Sequence, residues 1–353
     1  MISEDVHEGK PRCVRRLDIW GKKTFLHFSS RRFDCEHCEK PFTEELSYVE
    51  AHRRQTIIFE RHIYESCKKS NIKKVAKQEG LCQSTVRDII ERQAKVKVDR
   101  SGNILISVLG IDEISLKKRH RQFVLVISDI KQKCILAILP DRNKETLEKW
   151  IGELTVQQQK AIRFASMDMW APYRQAVEKK LTHVKIVADR FHVMKQLNER
   201  LGQVRKRIQN NASEEERTLL KGSRWLLTRN RSDLKPEEEG QLEKILDLCP
   251  ELRKLYLLKE EFRRIFDKVQ CREKAERFLI AWKYKTLATG DKFLAKFVKT
   301  LENWWAEILN YFIDKVTNGF VEGLNGAIRS IIRRAFGYRN FENFRLHVFA
   351  EHG

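Results

Sequence analysis

The sequence predicts an α/β core interrupted by a large all-α insertion and preceded by a small basic N-terminal region. Three observations predict it. A β-branched apolar run, Leu105 to Ile111, ends in two acids, Asp112 and Glu113. From residue 104 to 194, apolar runs and helical periods alternate as three strands, a helix, a strand, a helix and a strand. Residues 195–315 then read as helical throughout. An apolar strand is buried, and ionised carboxylates are almost never buried unpaired. Asp112 is therefore expected where its strand surfaces, facing a cation.

The chain has 353 residues, room for two or three domains and a sizeable core. It carries 70 Lys+Arg against 49 Asp+Glu, a net charge of +21. That excess favours a polyanionic partner, nucleic acid first and a membrane surface second. No apolar run approaches the roughly 18 residues that span a bilayer, and no signal-peptide pattern opens the chain. The 8 Cys are scattered, which fits a reducing, cytoplasmic compartment better than a disulfide framework.

Residues 1–54 are basic and irregular. Trp20–Phe28 alternates weakly, as one strand of a hairpin returning at Arg31–Cys35. Cys35-Glu36-His37-Cys38 is a C-x-x-C knuckle. Zinc needs four ligands, commonly two such pairs. Only Cys13 and His7 lie upstream, poorly spaced as substitutes, so the segment reads as zinc-finger-like but degenerate.

Residues 55–98 read as a helix-turn-helix. Ile72–Glu79 is an amphipathic helix stopped by Gly80, and a second helix opens at Gln83 with Val86, Ile89 and Ile90 on one face. In that geometry the first turn of the second helix meets base edges. Gln83, Ser84, Thr85 and Arg87 are the candidates, against the alternative of an ordinary helical hairpin with a basic face. Lys95–Arg100 reads as a linker.

Within 104–194, Gln122–Ser128 and Cys134–Leu139 follow the first strand as a meander. Lys144–Leu154 is a helix, Ala161–Met167 a strand ending at Asp168, Tyr173–Leu181 a helix, and Val184–Ala188 a strand ending at Asp189. This order is that of the RNase H-like fold, an inference by analogy. There the first and fourth strands are neighbours, and Asp112 and Asp168 would converge. Two adjacent carboxylates repel unless a cation lies between them, and hard oxygen ligands suit Mg²⁺ or Mn²⁺. Any one strand-end Asp, taken alone, reads as a turn or cap residue. Trp225, Trp282, Trp304 and Trp305 read as core rather than base-stacking groups.

Five stretches then match a known family: Gly110–Glu113, Met167–Trp170 with Tyr173, Ala188–Val193, Thr317–Asn325 and Arg333–Phe344. On these the chain resembles the ISL-three family of bacterial insertion-sequence transposases, of the DDE class, over nearly its whole length. The resemblance implies a double-stranded DNA partner, both terminal inverted repeats and target, and a homodimer or larger assembly in the bacterial nucleoid. The triad it carries over is Asp112, Asp168 and Glu322, with 195–315 inserted between the last two and 316–353 forming a C-terminal catalytic helix. Two Mg²⁺ or Mn²⁺ ions about 4 Å apart would clamp an in-line phosphoryl displacement, Asp112 bridging them. Asp189 and His192 stand beside the site, and Arg329, Arg333, Arg334 and Arg339 bind phosphates. The family opens with two C-x-x-C pairs; the first is absent here, so the N-terminus is expected to be truncated or diverged. A decayed or co-opted transposase acting only as a DNA-binding protein is the competing reading, and a generic RNase H-like nuclease a third.

Overall fold

Val, Ile and Leu runs flanked by turns build a five-stranded mixed sheet, the framework of the larger of two compact units. The computed structural model describes residues 6–35, 37, 38, 40–101, 105–117 and 122–352. One unit comprises residues 1–102 with 328–353, the other residues 103–327.

In the first unit, β1 (Val6–Ile19), β2 (Lys22–Asp34) and β3 (Pro41–Thr43) form an antiparallel sheet. The β1–β2 turn is Trp20-Gly21, both at positive φ (48° and 72°), the two-residue geometry that suits a twisted hairpin. This corrects the expected hairpin, which placed Trp20–Phe28 in one strand and its return at Arg31. β1 is exposed at most positions, so no apolar alternation marks it.

Three helices follow: α1 (Ile57–Lys69), α2 (Ile72–Glu79) and α3 (Gln83–Ser101). Thr56 caps α1 and Asn71 caps α2, and Gly80 closes α2 in the left-handed conformation at φ 65°. The expected linker at Lys95–Arg100 is instead the continuation of α3. Phe59, Ile63, Val75, Val86, Ile89 and Ile90 form the core, joined by Leu346 and Ala350 from the far end of the chain. The Tyr64 hydroxyl donates to the Ala350 carbonyl at 2.8 Å, and His347 Nε2 donates to the Cys67 carbonyl at 3.1 Å. Leu346 is 5% exposed. Leu346→Ala should therefore destabilise this unit by about 2–5 kcal/mol, seen as faster hydrogen exchange in α1 and α3; unchanged exchange would mean the C-terminal helix is dispensable.

In the second unit the sheet order is β6-β5-β4-β7-β8. β4 (Val108–Lys117), β5 (Gln122–Asp129) and β6 (Cys134–Leu139) pair antiparallel, and β7 (Phe164–Met167) and β8 (Lys185–Ala188) run parallel to β4. The expectation that the first strand stops at the acids is corrected. β4 continues to Lys117, with Asp112 opposite Val126, because β5 pairs with it beyond the point where β7 ends. α4 (Lys144–Glu153) and α6 (Ala171–Lys180) cover one face through Leu147, Ile151, Tyr173 and Val177. A short α5 (Val156–Ala161), opened by a Thr155–Gln158 capping box, takes the start of the expected fourth strand.

Under the other face lies a helical bundle: α7 (Arg190–Asn211), α8 (Glu214–Leu220), α9 (Arg224–Thr228), α10 (Pro236–Leu248), α11 (Pro250–Lys268), α12 (Arg272–Leu287), α13 (Lys292–Asn303) and α14 (Trp305–Asp314). One apolar core runs from Val108, Phe164 and Val187 through Leu197 to Trp282 and Phe297. Trp282 and Trp304 are buried as expected, but Trp225 is 63% exposed, against expectation, because its neighbours Leu226 and Leu227 take the inward positions. Residues 316–353 hold two helices rather than one, α15 (Gly319–Arg334) and α16 (Phe341–His352). The division between the units falls inside α15.

Candidate active site

Parallel pairing sets three aspartates side by side. Ile111 lies opposite Met167, and Met167 opposite Ala188. The next residues along the three strands are Asp112, Asp168 and Asp189. Neighbouring strands are about 4.8 Å apart, so the three carboxylates spring from one edge. Alternation puts Gly110 and Asp112 on one face of β4 and Glu113 on the other. Glu113 is accordingly engaged elsewhere, by Arg142 at 3.2 Å and by the Tyr173 hydroxyl at 3.3 Å.

Each aspartate is held. Asp112 accepts from Asn325 Nδ2 at 2.5 Å and from the Glu113 N–H at 2.7 Å. Asp168 accepts from the Met169 N–H at 2.6 Å and pairs with His192 Nδ1 at 2.9 Å. Asp189 caps α7 by accepting from the Phe191 N–H at 3.1 Å, and His192 Nε2 stands 3.7 Å from its carboxylate. His192 thus bridges two carboxylates where a cation could sit.

Burial pushes the Asp112 carboxyl above its usual range, despite the Glu113 N–H and the nearby His192. Burial also carries Asp189 up to about 6, with the Glu322 and Asp112 charges adding to the rise. Burial opposes the Asp168 charge too, but the hydrogen bond and charge of His192 outweigh it, and this carboxyl falls below its usual range. His192 is the counterpart: burial disfavours its charge, and its bond to Asp168 and the surrounding carboxylates raise its basicity overall.

α15 lies against this edge because β4 offers it a glycine. A Cβ on Gly110 would meet Val321 Cγ2 at 3.1 Å, and Ser128 Oγ and Ile130 Cγ1 closer still. Val321, Leu324, Asn325, Ile328 and Ile331 are the buried stripe of α15. Glu322, one turn before Asn325, is exposed and near enough to act on Asp189. Among the described residues, no three His, Cys, Asp or Glu side chains stand close enough to ligate one ion as they are placed. Asn325 was absent from the expected site residues; its only sequence signal is a position three residues after Glu322. Its Oδ1 is buried without a donor among the described residues.

The other expected residues are scattered. Gln83, Ser84 and Arg87 are exposed at the start of α3, with Thr85 half-buried. The Ser84 and Thr85 hydroxyls contact Cys82 Sγ at 3.2 and 2.9 Å, and these contacts lower that thiol to about 7. Arg329, Arg333 and Arg339 are exposed, whereas Arg334 is paired with Glu351. Cys35 and Cys38 form the turn after β2, where the His37 and Cys38 N–H groups lower the Cys35 thiol. Cys13 pairs across the hairpin with His27. At roughly 3.3 Å per residue that places it far from Cys35. His7, by contrast, sits at the knuckle end, 3.0 Å from Asp34.

Comparison with known proteins agrees along the whole chain. A zinc-finger model of insertion-sequence transposases matches residues 3–38, and the helix-turn-helix model of transposase family ISL3 matches residues 44–94. The ISL3 transposase model matches residues 109–348. The transposase for insertion sequence element IS1001 of Bordetella parapertussis is 30% identical over 346 residues, 97% of this chain and 85% of that protein. The transposase for element IS1557 of Mycobacterium tuberculosis is 26% identical over 357 residues, 92% of this chain and 78% of that protein. With the family's transposase model covering most of the chain, and the acid-lined strand edge inside that match, the chain belongs to the ISL3 family of transposases, DNA-binding enzymes that move insertion sequences.

Proposed function

We propose that this transposase is of the DDE type, an RNase H-like sheet interrupted between β8 and α15 by a helical insertion, with Asp112, Asp168 and Glu322 as its acidic triad. The observation that carries the reading is the register of β4 and β7, which makes Asp112 and Asp168 neighbours. α15 adds Glu322 from the side where Asn325 touches Asp112. The donor set fits Mg²⁺ or Mn²⁺: hard carboxylate oxygens, and a buried amide oxygen of Asn325 that lacks a donor among the described residues. Divalent ions held there would supply positive charge to the scissile phosphate and activate the attacking hydroxyl.

The chain's own groups do the rest. Asn325 orients the Asp112 carboxylate. His192 pairs with Asp168 and stands beside Asp189, so its positive charge offsets part of theirs and its imidazole faces the position of the phosphate. Asp189 fixes the first turn of α7, and so His192. Arg329, Arg333 and Arg339, exposed on and after α15, contact backbone phosphates. The enzyme acts as a homodimer or larger assembly on the two inverted repeats.

The test is strand cleavage of a duplex carrying the repeat that flanks the gene. Cleavage is expected with Mg²⁺ and none with EDTA; cutting in EDTA would remove the metal-dependent mechanism.

Recognition of the repeat falls to the exposed start of α3, Gln83, Ser84, Thr85 and Arg87. Arg87→Ala should cost about 1–3 kcal/mol of specific binding if it reads a guanine edge. An equal loss on random duplex would make it a phosphate contact. For zinc the described residues supply two of four ligands, Cys35 and Cys38, with His7 nearby. A full zinc site is therefore incomplete among them, and zinc bound by the purified protein should be weak and lost with Cys35→Ser.

A further inference from the structure

Beside the acidic edge lies a cavity of ≈ 560 Å³ with an aromatic and basic lining. Phe191, Met194, Lys195 and Asn198 contribute from one stripe of α7, and Arg224 and Trp225 from α9. Glu199 is the one acid on its wall. The cavity continues the candidate active site: the Phe191 ring meets the His192 ring edge-on at 5.4 Å, and His192 touches Asp168. Lys195 is near enough that its charge lowers Asp168.

The aromatic rings are out of place by the logic of a core. Trp225 is 63% exposed and Phe191 49%. A tryptophan is the largest apolar payload in a chain and is ordinarily kept from water. Here α9 is anchored so as to present it. Leu226 and Leu227 are buried, and the buried Lys259 ammonium donates to the carbonyls of Leu227 at 3.1 Å and Arg229 at 2.8 Å. The Arg229 guanidinium lies 5.1 Å from the Trp225 ring centre. Asn198 has a buried amide oxygen without a donor among the described residues.

We propose that this cavity receives one unstacked nucleotide of the DNA strand bordering the cleaved phosphate, its base against Trp225 and its phosphate between Lys195 and Arg224. Aromatic faces stack on any base, and cations beside them track the backbone. A base still paired in a duplex cannot enter, so the site favours DNA that has opened at the point of cutting. The placement next to the scissile phosphate rests on the proposed triad, but the binding itself does not.

The test therefore uses the full chain in EDTA, where cleavage plays no part. The probe is a fluorescently labelled single-stranded oligothymidylate of twelve nucleotides, with a random duplex as control. Trp225→Ala should weaken binding of the single strand about tenfold or more, while Trp225→Phe, which keeps a ring, should retain most of it. Duplex binding should be unchanged in both. Equal affinity of wild type and Trp225→Ala for the single strand would overturn the proposal. So would an equal loss on the duplex, or a loss in Trp225→Phe as large as in Trp225→Ala. Trp225 is exposed, so the thermal midpoint should not move; a large drop in it would also count against the assignment, by making the residue structural.

Discussion

Glu322→Gln is expected to lower DNA cleavage about a hundredfold or more, while binding to the element's repeat stays as it was. The substitution keeps the volume and removes the charge. Glu322 is exposed on α15, so packing changes little. Its only generic benefit, an acid near a helix N-terminus, is worth about 0.3–1 kcal/mol. A mutant that is marginally less stable and still cuts would reduce Glu322 to that role. There is also a readout without metal. The Glu322 charge is one cause of the rise of Asp189 to about 6, after burial. In the glutamine variant Asp189 should titrate lower. A carboxyl whose folded pKa is raised stabilises the fold at low pH and loses that contribution as pH rises through the window from the ordinary value to about 6. Glu322→Gln should make that loss smaller. An Asp189 titration unmoved by the substitution would place Glu322 away from the acidic edge.

How much of this was legible depends on what kind of signal each residue carries. The strands of the larger sheet were readable because they are buried apolar runs. Their ends were less so. Asp112 and Asp129 look alike, an acid closing a Val/Ile run, yet their roles differ. Asp129 is fully buried and spends its oxygens on the N–H groups of Ser107, Lys131 and Gln132, shaping the turn into β6. Asp112 and Glu113 are adjacent in sequence and face opposite sides of the sheet by alternation, but which of the two sides α15 packs on is set by tertiary packing that the alternation does not reveal. Asn325 carries no signature, since an asparagine inside an amphipathic helix reads as ordinary polar surface. Trp225 reads as core because composition cannot tell which of Trp225, Leu226 and Leu227 turns inward on a one-turn helix. α16 reads as part of the catalytic region because it follows α15. An amphipathic period shows that a helix will pack, not which core it joins, and Leu346 and Ala350 join that of α1 and α3.

Gly110→Val should cost most of the cleavage activity although Gly110 touches no substrate. Its absent side chain is what lets α15 approach β4. A Cβ there would lie 2.7 Å from Ser128 Oγ, 2.9 Å from Ile130 Cγ1 and 3.1 Å from Val321 Cγ2. The first two are closer than packed atoms tolerate and the third is tight enough that Val321 must give way, and valine adds two methyl groups beyond the Cβ. Ser128 and Ile130 belong to the neighbouring strand and its turn, so the freer body is the helix. Overpacking of this kind costs about 1–3 kcal/mol in stability. The larger effect is on position. Val321 precedes Glu322 directly, and Asn325 sits one turn further on, bonded to Asp112. Lifting α15 breaks that bond and moves Glu322 with it. A displacement of about 1 Å at such a site is enough for a hundredfold loss of rate. The expected result is a folded protein with a modestly lowered thermal midpoint, normal binding to the repeat, and cleavage reduced about a hundredfold. Gly110→Ala, with the Cβ alone, should fall between the two. Full activity in Gly110→Val would mean that α15 does not need this approach, and the route by which Glu322 reaches the aspartates would have to be redrawn.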